Sequence, residues 1–314
     1  VPRRIALASL ALLALPRSAA AHGGGPLHPH DLWHAWSLDP AVLGALALAV
    51  LLYTRGAARL RMRAPTTPLL RPERVASYYG AVGVLAIALV TPLDPLGETL
   101  FSAHMTQHLL LLLGAAPLFA LAWPLPALLW GLPRGWRRRF ARGRGWRSVR
   151  EAGRVLTLPV VSWIISAVGL WLWHVPALYE AALRSTAVHA LEHITLLGTA
   201  ALFWWVIVRP AAQGGLGRGT AVLYIFTATI QSGLLGALIT FSSVAWYPTH
   251  AAAAPIWGLT PLEDQQLAGL VMWGPMGAVY ALAALVAFVG WLTGVEAEAR
   301  RRERAADAMA AAGN

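Results

Sequence analysis

The chain has 314 residues, of which 57% are hydrophobic and 12% charged, and its mean hydropathy is +0.57; soluble domains carry about 25% charged residues, so an ordinary water-soluble domain is excluded. The net charge of +11 comes from Arg alone, and those Arg lie in short loops between apolar runs, which excludes nucleic acid as the partner. There is no Cys, which excludes thiolate metal sites, disulfides and CxxC redox chemistry.

The first stretch, "VPRRIALASLALLALPRSAAAHGGG", pairs Arg3 and Arg4 with an apolar run from Ile5 to Leu15 and the small residues Ala19, Ala20 and Ala21. Eleven apolar residues are too few to cross a bilayer, so residues 1–21 read as a removable signal peptide; the competing reading is an uncleaved extra helix. Residues 22–37 follow as an irregular segment containing His22, His28, His30, His34 and Asp31. If cleavage exposes His22, its amine and imidazole form a Cu(II) chelate; a flexible linker is the alternative.

Seven apolar runs come next, at about 38–54, 75–93, 104–130, 155–175, 189–208, 220–243 and 265–292. No period-two alternation competes, and a lipid-exposed backbone must satisfy its own hydrogen bonds. The expectation is an all-α, polytopic seven-helix bundle over 38–292, with a cytoplasmic tail over 293–314. The third run is long, and Pro117, Pro124 and Pro126 are expected to bend it.

Arg distribution orients the bundle. Segments 55–74 and 131–154 hold six and nine Arg, Arg209 and Arg218 flank the next loop, and Arg300, Arg301, Arg302 and Arg304 mark the tail. The alternate loops 94–103, 176–188 and 244–264 hold Arg184 alone. Arg-rich loops stay in the cytoplasm, which puts the mature amino terminus outside and the carboxyl terminus inside. The basic loops set topology and touch anionic membrane lipid.

All ten His then fall outside or at the outer membrane boundary. His104 and His108 open the third helix in "HMTQH", and His189 and His193 open the fifth in "HALEH", with Glu192 beside them. Each pair is spaced i,i+4 and shares a helix face. His174 ends the fourth helix at the same depth. These five imidazoles read as a shared metal or cofactor site; independent interfacial histidines, each with one wet end, are the alternative. Imidazole takes copper, zinc, iron and nickel. Met105 adds a thioether next to the first pair, which favours Cu(I), although Met also fills cores. Met272 lies ~12 Å below Asp264 along the last helix and reads as a transfer ligand at most. Asp264 in "LEDQQLAGLVMW" is expected to cap the last helix, or else to ligate the metal or hold a His ring.

The segments "HMTQHLLLLLGAAPLF", "WLWHVPALYEAAL", "HALEHITLL" and "DQQLAGLVMW", in that order, resemble the CtaG family of the caa3 type, assembly factors for bacterial cytochrome c oxidase. The resemblance covers roughly residues 70–292. It implies a seven-helix membrane protein needed for active oxidase, with a role in copper supply. It points to His104, His108, His174, His189, His193 and Asp264 as functional positions. Single-helix proteins that share the CtaG name use cysteines, and the absence of Cys here agrees with the caa3 type. The leading expectation is a copper chaperone that takes the ion from an extracytoplasmic donor and presents it to a cytochrome c oxidase subunit. The alternatives are a zinc-dependent intramembrane hydrolase built on H-x-x-E-H, and bis-histidine haem ligation.

Overall fold

In the computed structural model the described residues are 27–142, 144–209 and 215–312. The expected signal peptide and His22 lie outside them. The described residues are helical throughout, without strands: α1 is Pro40–Arg63, α2 Pro72–Val90, α3 Leu93–Thr99, α4 Phe101–Ala122, α5 Leu125–Gly131, α6 Arg134–Arg142 and α7 Arg144–Leu156. Then come α8 Pro159–Trp173, α9 Pro176–Arg184, α10 Thr186–Val208, α11 Arg218–Thr240 and α12 Pro261–Ala312. Six of these helices are long and apolar enough to cross a membrane, and the bent pair Ser148–Leu156 and Pro159–Trp173 makes a seventh when the two are counted as one span. The expected seven-helix bundle is therefore present.

Several boundaries move, each for a local reason. The first span does not stop at 54 but continues as helix to Arg63, because Arg59 reaches across to donate to the carbonyls of Trp130 and Leu132 at 2.7 and 2.9 Å. A cation at those last carbonyls of α5 satisfies acceptors the helix end leaves open. Here α1 and α5 touch through backbone: a Cβ on Gly56 would collide with the Ala127 carbonyl, and one on Gly131 with the Leu52 carbonyl. The fourth span is broken: its main helix begins at Pro159, since Pro suits the first helical position and holds Leu158 extended at ψ 133°. Residues 155 and 156 belong to α7, which meets α8 at 78°. The basic loop is thus not irregular but holds the short helices α6 and α7. Beyond 292, α12 continues unbroken through the expected tail boundary to Ala312.

The third span, expected at 104–130, is two helices. α4 ends at Ala122, Trp123 turns left-handed at φ 47°, and α5 starts after Pro124. Within α4, Leu110–Ala115 widens into a π turn. There the Ala116 N–H bonds back five residues to the Leu111 carbonyl, so the next carbonyl, Leu112, would look to residue 117. That residue is Pro117, which has no N–H. The Trp204 indole N–H of α10 donates to the Leu112 carbonyl instead, at 2.9 Å. A backbone acceptor freed inside a membrane helix is thereby satisfied by its neighbour.

α4 is the central helix. It packs against α2, α10 and α12, while α11 runs along α12 and α8 along α10. The main apolar core joins Phe101, Met105 and Leu109 of α4 to Phe203 and Trp204 of α10, Ile225 of α11 and Met272 of α12.

The Leu112–Trp204 bond yields a stability prediction. Trp204→Phe keeps an aromatic ring but removes the donor, and a buried acceptor left unpaired costs about 1–3 kcal/mol. Thermal unfolding in detergent is expected to show a lower midpoint for this variant.

Candidate metal centre

His104 and His108 occupy the first two turns of α4, His189 and His193 the first two turns of α10, and His174 follows the last residue of α8. The three helix ends therefore meet at one end of the bundle. The ring centroids of His104 and His189 are 5.4 Å apart, those of His108 and His193 also 5.4 Å, and those of His108 and His174 6.3 Å. The five sequence-predicted imidazoles form one continuous cluster. His104, His108, His174 and His189 are buried, and His193 is partly buried.

Glu192 lies fully buried between the two pairs. One carboxylate oxygen is 3.7 Å from His104 Nε2 and the other 3.6 Å from His108 Nε2. Those separations are too long for hydrogen bonds. Single donor atoms of His104, His189, Glu192 and His193 all lie within 4.8 Å of one another. Both oxygens of Glu192, both nitrogens of His108, and Nε2 of His104 and of His193 are buried without a hydrogen-bond partner. Native interiors leave few such groups, and each one calls for an explanation such as an ion. Three imidazoles and a carboxylate, spaced this closely, are a donor set for a borderline divalent or cuprous ion.

Asp264 does not cap its own helix. Its carboxylate accepts the backbone N–H groups of Phe101 and Ser102 at 2.7 and 3.1 Å, and the Ser102 hydroxyl at 2.5 Å. It thus caps α4 across space, because Leu100, the residue that precedes α4, has no side-chain acceptor. The start of α12 is closed by Thr260 and Glu263, which exchange backbone–side chain bonds at 2.7 and 3.2 Å. Gln107, on another face of α4, donates to the Ala88 carbonyl and to Asp94 at 2.8 and 2.9 Å. The turns bearing His104 and His108 are held from two sides.

Met105 is fully buried, with its sulfur 3.2 Å from His174 Nε2. Met272 is buried in the apolar core. His28, His30 and His34 are exposed, and the His30 imidazole faces Asp31 at 3.2 Å. This segment is pinned by the Trp257 indole, which donates to the Leu27 carbonyl at 2.9 Å.

Sequence reasoning did not find the roof. Tyr179 of α9 donates to His250 Nε2 at 2.7 Å, and His250 Nδ1 bonds the Thr99 carbonyl at 3.0 Å. Tyr247 donates to the His174 carbonyl at 2.8 Å. Glu180 accepts from the Thr249 hydroxyl and backbone. The Tyr179 ring meets His104 edge-on, centroids 5.1 Å apart. Burial holds His250 below the ordinary histidine range, against the pull of the Thr99 carbonyl bond. These loop residues close the imidazole cluster from above. Tyr179 and Glu180 do stand within "WLWHVPALYEAAL", but nothing in their spacing ties them to the loop at 247–250.

A family model described as cytochrome c oxidase caa3 assembly factor matches residues 51–294. An uncharacterized protein of Mycobacterium bovis and one of Mycobacterium tuberculosis are each 23% identical over 281 residues, which is 87% of this chain and 42% of theirs. The chain thus spans less than half the length of these curated relatives. No solved structure matches.

The cap from Asp264 is testable. Asp264→Ala is expected to cost about 1–2 kcal/mol, as a lost helix cap does. Glu263→Ala, at an exposed cap, is expected to cost less when the two are compared by thermal unfolding.

Proposed function

The chain belongs to the caa3-type cytochrome c oxidase assembly factor family, and from that premise we propose that its cargo is copper, held by His104, His189, His193 and Glu192 with His108 and His174 alongside. The observation that carries this reading is the buried group of four donor atoms within 4.8 Å, with carboxylate oxygens that have no hydrogen-bond partner. Neutral imidazole nitrogens and one carboxylate would receive the ion. Aromatic and aliphatic walls exclude water around them. With no thiolate in the set, binding is weaker for Cu(I) than at a cysteine site, which suits transfer over storage.

The copper enters from an extracytoplasmic donor and leaves to an oxidase subunit. In this reading the histidine end of the bundle faces outside a bacterial inner membrane, and the basic helices α6 and α7 lie against anionic lipid of the cytoplasmic leaflet. Glu192 favours this reading over haem, because it stands between the two histidine pairs where a macrocycle would have to lie. It also favours cargo binding over hydrolysis. Its two oxygens each face an imidazole nitrogen of α4, His104 and His108, whereas a hydrolase needs its glutamate turned to a water. The Mycobacterium relatives are longer, so whether they act in the same way is part of the proposal.

Metal analysis tests the site. Wild-type protein loaded with Cu(I) under reducing conditions is expected to retain copper through gel filtration, and the His104→Ala/His193→Ala variant to retain less. Membranes of a host expressing only that variant are expected to show the cytochrome c oxidase activity of a deletion strain. Equal copper content in the two proteins would remove the case for this centre. Orientation is checked separately, using the absence of Cys. A membrane-impermeant maleimide is expected to label intact cells carrying Ala187→Cys but not those carrying Ser148→Cys.

A further inference from the structure

The donor atoms at the histidine end fall into two chemical types. The His174 ring shows why they belong to different sites. Its Nδ1 lies 2.6 Å from the Leu170 carbonyl, which can only accept, so Nδ1 carries the proton. Nε2 of a neutral ring is then a bare lone pair. It faces the Met105 sulfur at 3.2 Å, and a thioether has lone pairs but no proton to offer. Two acceptors are thus pressed together, with Met105 fully buried and His174 nearly so. Only an imidazolium would supply a second N–H, and that places a charge on a buried ring. A cation between them resolves the contact.

The spacing suits such an ion. With metal–nitrogen and metal–sulfur bonds of about 2.0 and about 2.3 Å, a 3.2 Å separation corresponds to adjacent ligands of one ion, not opposite ones. His108 is available as a third donor. Its ring lies 6.3 Å from that of His174, centroid to centroid, and both its nitrogens lack hydrogen bonds. His108 borders both sites: it stands outside the group of four within 4.8 Å, yet its Nε2 is 3.6 Å from Glu192 and its ring 4.3 Å from that of His104. It shares helix α4 with Met105, three residues apart, so the two side chains fall on adjoining faces of one turn.

We propose that Met105, His174 and His108 form a second cation site, selective for a soft d10 ion such as Cu(I), beside the site of three imidazoles and a carboxylate. Thioether selects soft ions, whereas carboxylate tolerates borderline ones. Glu192 is the wall between the sites, with one oxygen toward His104 and the other toward His108. An ion moving from one site to the other exchanges ligands without a change of oxidation state. The inference rests on reading this bundle as a cation handler; it takes His108 and His174, which stand alongside the first site, and adds the Met105 sulfur.

The test uses the full chain in detergent, with Ag(I) as a redox-inert soft probe and Zn(II) as a borderline one. Equilibrium dialysis gives stoichiometry, and X-ray absorption at the silver edge gives the ligand atoms. Wild type is expected to bind one Ag(I) with a sulfur neighbour, not displaced by Zn(II). Met105→Leu, close in volume, is expected to lose the sulfur neighbour and weaken Ag(I) about tenfold or more, on the scale of disturbed metal sites, while Zn(II) binding stays unchanged. His104→Ala/His193→Ala is expected to lose Zn(II) and keep sulfur-ligated Ag(I). Should Met105→Leu fold poorly, Met272→Leu/Met276→Leu replaces it: the sulfur neighbour of silver must then persist, and its loss overturns the second site. Silver bound by nitrogen and oxygen alone, or unchanged silver binding in Met105→Leu, overturns the second site. Wild type that binds sulfur-ligated silver but no Zn(II) overturns the four-donor centre and leaves this one standing.

Discussion

The structure turns on one constraint: a carboxylate and several imidazoles are buried at a membrane helix end with too few hydrogen bonds among them. Glu192 and His104 are both 0% exposed, yet 3.7 Å apart. Removing such groups from water costs several kcal/mol each unless partners compensate. Intramembrane ionisable residues that persist under that penalty face a bundle interior and serve a function. Helix packing, capping and loop closure around them all act to hold the donors in place.

The holding is done by polar anchors that tie helices together at the histidine end. Asp264 brings α12 onto the first turn of α4, and Gln107 brings in α2 and α3. Both fix α4 on either side of the turns that carry His104 and His108. One level further in, the Trp204 indole bonds the carbonyl that Pro117 leaves open, tying α10 to α4 behind the donors. The π turn lies directly after His108; such turns recur at functional sites, where one added residue re-aims a helix face. Above, Tyr179, Tyr247 and His250 close the cluster through bonds between loops distant in sequence. These side chains are thus positioned by rigid neighbours, and under the proposed copper reading that limits the ordering an ion would have to impose.

Donor chemistry then divides this end of the bundle. Carboxylate and imidazole gather around Glu192, and thioether and imidazole around His174. The family whose model the chain matches is described as a cytochrome c oxidase caa3 assembly factor. A membrane factor in that role benefits from a site that admits an ion and a neighbour that grips its soft form, since transfer needs intermediate affinity at each stage.

Composition and periodicity were enough to settle class and span number, because hydrocarbon accepts little besides long apolar helices. The i,i+4 spacing placed His104 with His108 and His189 with His193 on shared faces, since helical periodicity is local geometry. Which faces meet is not local. That Asp264 caps α4 and not α12 depends on where two helix ends stop in space, and Thr260 and Glu263 met the nearer need. The split of the third span could be read only in part. Pro117 and Pro124 announced a disturbance, but the π turn survives because Trp204, 92 residues away from Leu112, supplies the missing donor. Likewise His174 and Met105 are 69 residues apart, and nothing along the chain orients an imidazole nitrogen toward a sulfur. The sequence by itself determined a seven-span membrane bundle with histidines gathered at one depth, through hydropathy and helical period. The tertiary structure alone decided which lone pairs face each other, because that depends on helix rotation and on contacts between distant segments.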